Sequence, residues 1–457
     1  MRDRVFAAWR RALSLTWPVM TEQTFNTFMR TTDIFITAAF APAAIAAIGL
    51  ADLYTRLPLR IGLGLGSGAI ALSSQDTGRE AKRDRDEAIT QALIIGFLAG
   101  IPFVLFGLFF SEWAIAVLGA DDAVVQLGGT YLLIVFLASP ARIVGLIGAQ
   151  SLQGTGNTRT PMVINIIGSI LNIVGSVVLG FGLGPFPELR IVGVALATAG
   201  ANVLTALAFL VVIGWSDTDA SFAHPQTTII TRHLVSVSAP KVGGGMITMV
   251  AQFMFNAILV GFGTAVYAGY NLGRRLHQQL TGPIYRSFRT TASIVVGQEL
   301  GGGDADEARF QGLAVAGLAL GILFLAGSAL IVWAEPLVRL FTDDPGTVTH
   351  SIAFARVYGA LALAFGGFNV FSGLLRGGSD TRTPFYARIS GVFGFLLGGT
   401  YLGGVVLGYG VVAAYVAMAL CYIWMAGVVV WAFFYGDWAR RTAEMITDRE
   451  AAKSPND

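Results

Sequence analysis

From residue 12 to residue 436 the chain is a succession of apolar stretches separated by short clusters of glycine, proline and charge. Most exceed the ~18 residues with which a helix can cross a hydrocarbon core about 30 Å thick. Inside lipid a backbone must satisfy its own hydrogen bonds, so such stretches predict helices rather than open sheets. Punctuation places twelve spans at 12–40, 44–74, 89–111, 123–151, 161–183, 191–214, 234–263, 266–298, 308–333, 347–375, 384–407 and 410–436. Several are longer than the minimum, which implies tilt or protrusion. With 54% hydrophobic and 13% charged residues, the chain has too little charge to cover a soluble surface of this size. The 57 glycines suit close approach of membrane helices. The expectation is an all-α integral membrane protein.

The net charge of +2 gives no reason to expect a nucleic-acid partner. A single cysteine, Cys421, rules out intrachain disulfides and reads as a packing residue. The basic opening MRDRVFAAWRRALSLTWPVM lacks the short apolar core and cleavage site of a signal peptide and reads as an interfacial segment. Loops alternate in character. Arg2, Arg4, Arg10, Arg11, Arg79, Lys82, Arg83, Arg85, Arg159, Arg232, Arg309, Arg382 and Arg440–Arg441 fall on one side, against Arg190, Arg339 and two acidic pairs on the other. Positive residues stay cytoplasmic, so both termini are expected inside a plasma-membrane protein. The connection at 215–232 is the longest polar one; its His224 and the neighbouring His233 read as solvated loop residues.

The chain repeats itself. QGTGNTRTP at 153–161 returns as RGGSDTRTP at 376–384, 223 residues later. Pro18 matches Pro240, Gln75 matches Gln298, Glu112 matches Glu335, and Asp121–Asp122 matches Asp343–Asp344. An ordered series of this kind indicates duplication. Because six spans per copy bring both copies into the membrane in the same direction, twelve transmembrane helices in two parallel six-helix repeats around a central cavity are expected. The expected divisions are an N-terminal lobe at 1–214, a cytoplasmic linker at 215–233, a C-terminal lobe at 234–440 and a cytoplasmic tail at 441–457. In the TRTP element Gly with Asn or Asp forms a turn and Pro begins the next helix, a structural rather than a ligand-binding role.

An ionised side chain within a bilayer costs at least ~2.5–3.5 kcal/mol on insertion scales, so acids there draw functional suspicion. The first span carries Glu22, Asn26, Arg30 and Asp33, with the two acids about three turns apart on one face. An Arg30–Asp33 packing pair competes with a functional Asp33, and interfacial solvation competes for Glu22. The seventh span offers Lys241, Gln252 and Asn256, and the tenth Asn369. The eighth adds Arg274, Arg275, His277, Arg286 and Arg289. With Lys241, Arg274 and His277 these make a polar, partly positive cavity suited to anionic groups one reading, and snorkelling at helix ends the other. The glycines at 62, 64, 66 and 68 lack the GK[ST] ending of a phosphate loop and read as packing glycines.

The paired QGTGNTRTP and RGGSDTRTP loops, TTDIFITAAFAPAAIAAIGLA at 31–51, GLGLGSGAIALSSQDTG at 62–78 and INIIGSILNIVGSVVLGFG at 164–182 resemble the multidrug and toxic compound extrusion (MATE) family, across nearly the whole chain. The resemblance implies alternating access and antiport: efflux of small amphipathic compounds driven by inward protons or sodium. It is similar to the DinF-like branch, which implies that Asp33 is the coupling acid, with Asn172 and Thr198 as partners. Ser176 stands where that branch has an Asp, which weakens a sodium cage but leaves protonation of Asp33 intact. Acids that NorM-type members carry in the seventh and tenth spans are missing. A lipid-linked saccharide flippase of related architecture is the alternative. No catalytic constellation and no metal-ligand spacing beyond a sodium at Asp33 stands out, so an enzyme, a cofactor and a nucleic-acid partner are not expected. The expected partners are a small-molecule substrate and membrane lipid, with the chain a monomer.

Overall fold

The computed structural model describes residues 2–40, 42–215 and 218–451, without the side chains at 30, 31, 33–35, 37 and 38. The described residues are helical throughout: α1 (Arg2–Ala38), α2 (Pro42–Gly78), α3 (Lys82–Ala116), α4 (Asp122–Leu137), α5 (Ser139–Gly154), α6 (Arg159–Phe181) and α7 (Arg190–Trp215) precede the linker. After it come α8 (Thr228–Gly261), α9 (Thr264–Leu280), α10 (Gly282–Gly301), α11 (Ala305–Val332), α12 (Ala334–Arg339), α13 (Pro345–Ala360) and α14 (Ala362–Gly377). The last are α15 (Arg382–Ile389), α16 (Val411–Tyr435) and α17 (Trp438–Ala451). α15 runs on as wider π-helical turns over Ser390–Gly399 and Tyr401–Val406.

Among the described residues seven helices are long and apolar enough to span: α3, α6, α7, α8, α11, α15 with its π extension, and α16. The pairs α4–α5 and α13–α14 qualify as spans bent by 49° and 48°. α1, α2 and the α9–α10 pair have the length but are more polar, and complete the expected twelve. Sequence punctuation gave the fourth, eighth and tenth spans as continuous; the structure breaks them at Ala138, Thr281 and Leu361. Ala138 and Leu361 are 223 residues apart, so this bend belongs to the repeat.

The chain forms two compact units, residues 21–238 and residues 1–20 with 239–457. The divisions fall inside α1 and α8, within three residues of the internal prolines Pro18 and Pro240. A proline inside a helix removes a backbone hydrogen bond, and membrane helices tolerate it where neighbours compensate. The opening stretch of each repeat's first helix therefore packs with the other repeat.

Both units hold that stretch through a glutamate of the third span and the glutamine one turn on. In the unit of residues 21–238, buried Glu87 Oε1 accepts from Gln226 N at 2.7 Å, Thr227 N at 3.0 Å and Gln91 Nε2 at 2.9 Å, and Thr231 Oγ1 donates to Gln91 Oε1 at 2.6 Å. In the other unit Gln311 Nε2 donates to Glu307 Oε1 at 2.7 Å, while Arg4 Nη2 meets Glu307 Oε2 at 2.7 Å.

Glycine sets the helix spacing. A Cβ at Gly62 or Gly66 on α2 would come within 2.7 or 2.3 Å of Leu146 or Gln150 on α5, so the glycines at 62 and 66 are packing glycines. Gly154 on α5 and Gly377 on α14, 223 apart, each approach the second span of their own repeat, where a Cβ would stand 1.8 Å from Ser73 Oγ and 2.8 Å from the Ser293 carbonyl oxygen. The turns before α6 and α15 match too: Asn157 Oδ1 accepts from Thr160 N and Asp380 Oδ1 from Thr383 N, both at 3.1 Å. Large apolar side chains such as Phe109 and Trp431 are exposed, as a lipid-facing belt requires.

Candidate functional site

In the unit of residues 21–238 a polar seam joins α1 to α6. Asn165, Ser169, Asn172 and Ser176 recur at steps of four, three and four residues and therefore share one face of α6. Opposite them on α1, buried Glu22 is hydrogen-bonded by the Asn165 side chain and accepts from Gln153 Nε2 on α5 at 3.4 Å. One turn on, Asn26 Oδ1 accepts from Ser169 Oγ at 3.5 Å. Higher in the seam, Asn172 Nδ2 donates to Thr198 Oγ1 on α7 at 3.0 Å. Asn172 Oδ1 and Ser176 Oγ are buried and have no hydrogen-bond partner among the described residues.

Two orphaned oxygens one turn apart are unusual, because each costs about 1–3 kcal/mol relative to a satisfied one. Either a proton donor, such as a neutral carboxylic acid, or a small hard cation would satisfy them. The three side-chain oxygens of Asn172, Ser176 and Thr198 are all neutral, a poor set for a bare cation. Among the described residues no group of three or more His, Cys, Asp or Glu could hold a metal. The side chains of Asp33 and Arg30 lie outside the described residues, so the expected Arg30–Asp33 pair does too.

The other predicted polar residues lie in the unit of residues 1–20 and 239–457. Gln252 Nε2 donates to Asn256 Oδ1 at 2.9 Å and to Tyr270 Oη at 2.8 Å. Arg274 bonds Asn271 Oδ1 at 3.2 Å and stands 5.5 Å from the Tyr270 ring centre. Buried His277 stacks on Tyr358 at 4.7 Å and bonds Thr281 at 3.0 Å. Lys241 is half-buried in α8. The structure thus gathers Gln252, Asn256 and Arg274 around Tyr270, and places His277 in an adjoining aromatic stack. Sequence reasoning passed over Asn165, Ser169 and Gln153. The first two could have been found, since they continue the helical spacing of Asn172 and Ser176; Gln153 is brought in only by tertiary packing.

Comparison with known proteins places this architecture. A probable multidrug resistance protein NorM of Rhodopseudomonas palustris is 27% identical over 93% of this chain and 92% of its own. An FAD transporter of Shewanella oneidensis is 25% identical over 68% of this chain and 70% of its own. A crystal structure of a MATE protein in complex with MaD3S superposes with a TM-score of 0.86 over 96% of this chain and 97% of that one, at 18% identity, and so shares the fold. The MatE family model matches twice, at residues 18–178 and 240–402, each copy opening on the proline that divides the compact units. With two copies of the family's unit filling both repeats, the chain belongs to the MatE family, the multidrug and toxic compound extrusion transporters.

Proposed function

We propose that this protein is a secondary active antiporter that exports small amphipathic organic compounds by alternating access, driven by ions entering through the α1–α6–α7 seam. The observation that carries the proposal is the desolvated pair of oxygens Asn172 Oδ1 and Ser176 Oγ, held beside Thr198 and without a partner among the described residues. Glu22–Asn165 and Asn26–Ser169 are both offset by 143 residues. The same offset carries position 33 to the level of Ser176. An acid there gains a proton when desolvated and loses it to an aqueous opening, which is what coupling requires.

Because the described oxygens are neutral, protons are favoured over sodium. The chain acts at the plasma membrane, as a monomer with both termini cytoplasmic, and needs no cofactor. The relative named an FAD transporter, together with the cationic interior of the C-terminal half, supports substrates with anionic groups. That interior also favours the second reading, flipping of a lipid-linked saccharide.

Substrate flux in proteoliposomes, with proton and sodium gradients imposed separately, tests the reading. Asp33→Asn keeps shape but fixes the neutral state, so gradient-driven flux is expected to vanish while the fold persists. Ser176→Asp restores a second carboxylate and is expected to increase any sodium response. Parental flux from Asp33→Asn under a proton gradient overturns the assignment and passes the role to Glu22, the described buried acid of the seam.

A further inference from the structure

The membrane-embedded part of the C-terminal unit is cationic and has no acid of its own. The stretches 239–298, 345–375 and 384–436 contain no Asp or Glu, yet carry Arg274, Arg286, Arg289 and Arg388 among their cations, and Arg376 follows the second of them near the end of α14. The unit's acids sit at its ends, where Glu299 pairs with Arg11, Glu307 with Arg4 and Asp380 with Arg441.

Arg376 and Arg289 form the centre of this charge. Buried Arg376 donates from Nε to Ser293 Oγ at 3.1 Å and from Nη2 to the Arg289 carbonyl at 3.3 Å. Both acceptors are neutral, and the residue whose carbonyl Arg376 meets carries a charge of the same sign. Arg289 Nη1 donates to Asn369 Oδ1 at 3.4 Å. Arg286 lies one turn earlier on α10. Gly373 permits the approach, since a Cβ there would stand 2.3 Å from the Arg289 carbonyl oxygen. About 18 Å of helix separates Arg289 from the end of α10, further than an arginine side chain can snorkel. A buried guanidinium beside a like charge is costly, and a bound carboxylate or phosphate relieves it with paired, charge-assisted hydrogen bonds. An aromatic shelf adjoins these groups. Phe365, one turn before Asn369, meets Tyr285 at 4.9 Å and Tyr422 at 5.0 Å, and Arg286 stands 5.6 Å from the Tyr285 ring centre.

We propose that Arg286, Arg289 and Arg376 form the anion-binding end of a substrate site inside the C-terminal unit, with Phe365, Tyr285 and Tyr422 receiving a flat ring. The ligand class is an aromatic organic anion bearing a carboxylate or a phosphate monoester. This deepens the antiporter reading and rests on it for the word substrate, but the binding itself does not require ion coupling.

The test is calorimetric titration of the full chain in neutral detergent, without any gradient, using 1-naphthoate, 1-naphthylmethanol and 1-naphthylmethylamine. These probes share one ring system and differ in charge. Naphthoate is expected to bind about tenfold tighter than the alcohol or the amine. Arg289→Gln and Arg376→Gln are each expected to weaken naphthoate about tenfold and leave the alcohol unchanged, while Arg289→Lys retains most of the affinity. Naphthoate binding no tighter than the other two overturns the proposal, as does unchanged naphthoate affinity in a folded Arg289→Gln/Arg376→Gln double variant. Should a glutamine variant misfold, the parental charge series and Arg289→Lys still decide. An anionic lipid headgroup presents the same chemistry, so the titration is repeated with phosphatidylglycerol or phosphatidylcholine in the micelles. Unchanged affinity in both supports the soluble anion; displacement by phosphatidylglycerol alone assigns the site to lipid and overturns it. If naphthoate binds as expected but no flux follows an imposed gradient, the antiporter reading falls and the site stands.

Discussion

The duplication is written most plainly in single backbone conformations. Gly303, at φ 85°, corresponds across the repeat to Glu80, at φ 59°, and Gly156, at φ 94°, corresponds to Ser379, at φ 59°. Each left-handed turn is retained in both copies, but each copy has filled only one of its two turns with the residue that suits it. A non-glycine residue in this region costs about 1–2 kcal/mol, against about 0.5–1 kcal/mol for the extra chain entropy of glycine. A Cβ at Gly303 would meet nothing within 4 Å, so a substitution there isolates the backbone term. Gly303→Ala is expected to destabilise by about 1 kcal/mol, and Glu80→Gly and Ser379→Gly to be neutral or stabilising by a few tenths to about 1 kcal/mol. Cys421, the single and buried thiol, supplies the measurement: a maleimide dye that fluoresces on reaction reports the temperature at which the core opens. A lower transition for Glu80→Gly contradicts the assignment of strain.

At the scale of helices, the third span of each repeat clamps the start of the other repeat's first helix through a glutamate and the glutamine one turn on. The two clamps differ in burial. Glu87 is fully buried and takes two backbone N–H groups, whereas Glu307 pairs with exposed Arg4. Removing a buried charged acceptor strands its donors and costs about 2–3 kcal/mol, while an exposed ion pair contributes about 0–1 kcal/mol. Glu87→Ala is therefore expected to speed proteolytic nicking at residues 218–227 several-fold, and Glu307→Ala to leave it unchanged; equal rates for both variants count against the clamp. Part of this organisation was legible in the sequence, because span length, loop charge and the TRTP repeat depend only on local composition. The break at Ala138 and the π turns after α15 were not, since a bent or widened helix keeps the same apolar length. Packing of the first twenty residues with the C-terminal unit was equally hidden, because Pro18 marks where α1 changes unit but not which unit each side joins. In the seam, the charge of Glu22 and Asp33 was visible, but the orphaned oxygens of Asn172 and Ser176 exist only once neighbouring helices exclude water.

For the whole molecule, the two repeats have diverged in charge: the N-terminal unit carries Glu22 and Asp33 in its first span, while the C-terminal unit buries arginines in segments with no acid. If the acid moves a proton inward and the arginines carry an organic monoanion outward, one cycle transfers two positive charges into the cell. Each elementary charge crossing 100 mV gains about 2.3 kcal/mol, so the coupled cycle gains about 4.6 kcal/mol per 100 mV, inside negative. Exchange of one proton for a monocation transfers no net charge and gains nothing from the same potential. In right-side-out vesicles preloaded with 1-naphthoate, at equal pH on both sides, a valinomycin-set potassium potential is expected to accelerate export steeply, while export of 1-naphthylmethylamine stays flat. Asp33→Asn removes the proton's share, so the voltage dependence of any residual naphthoate movement is expected to fall to that of a single charge. Naphthoate export that ignores the potential contradicts the division of labour between the two halves, because no arrangement of a proton and an anion moving in opposite directions is electrically silent.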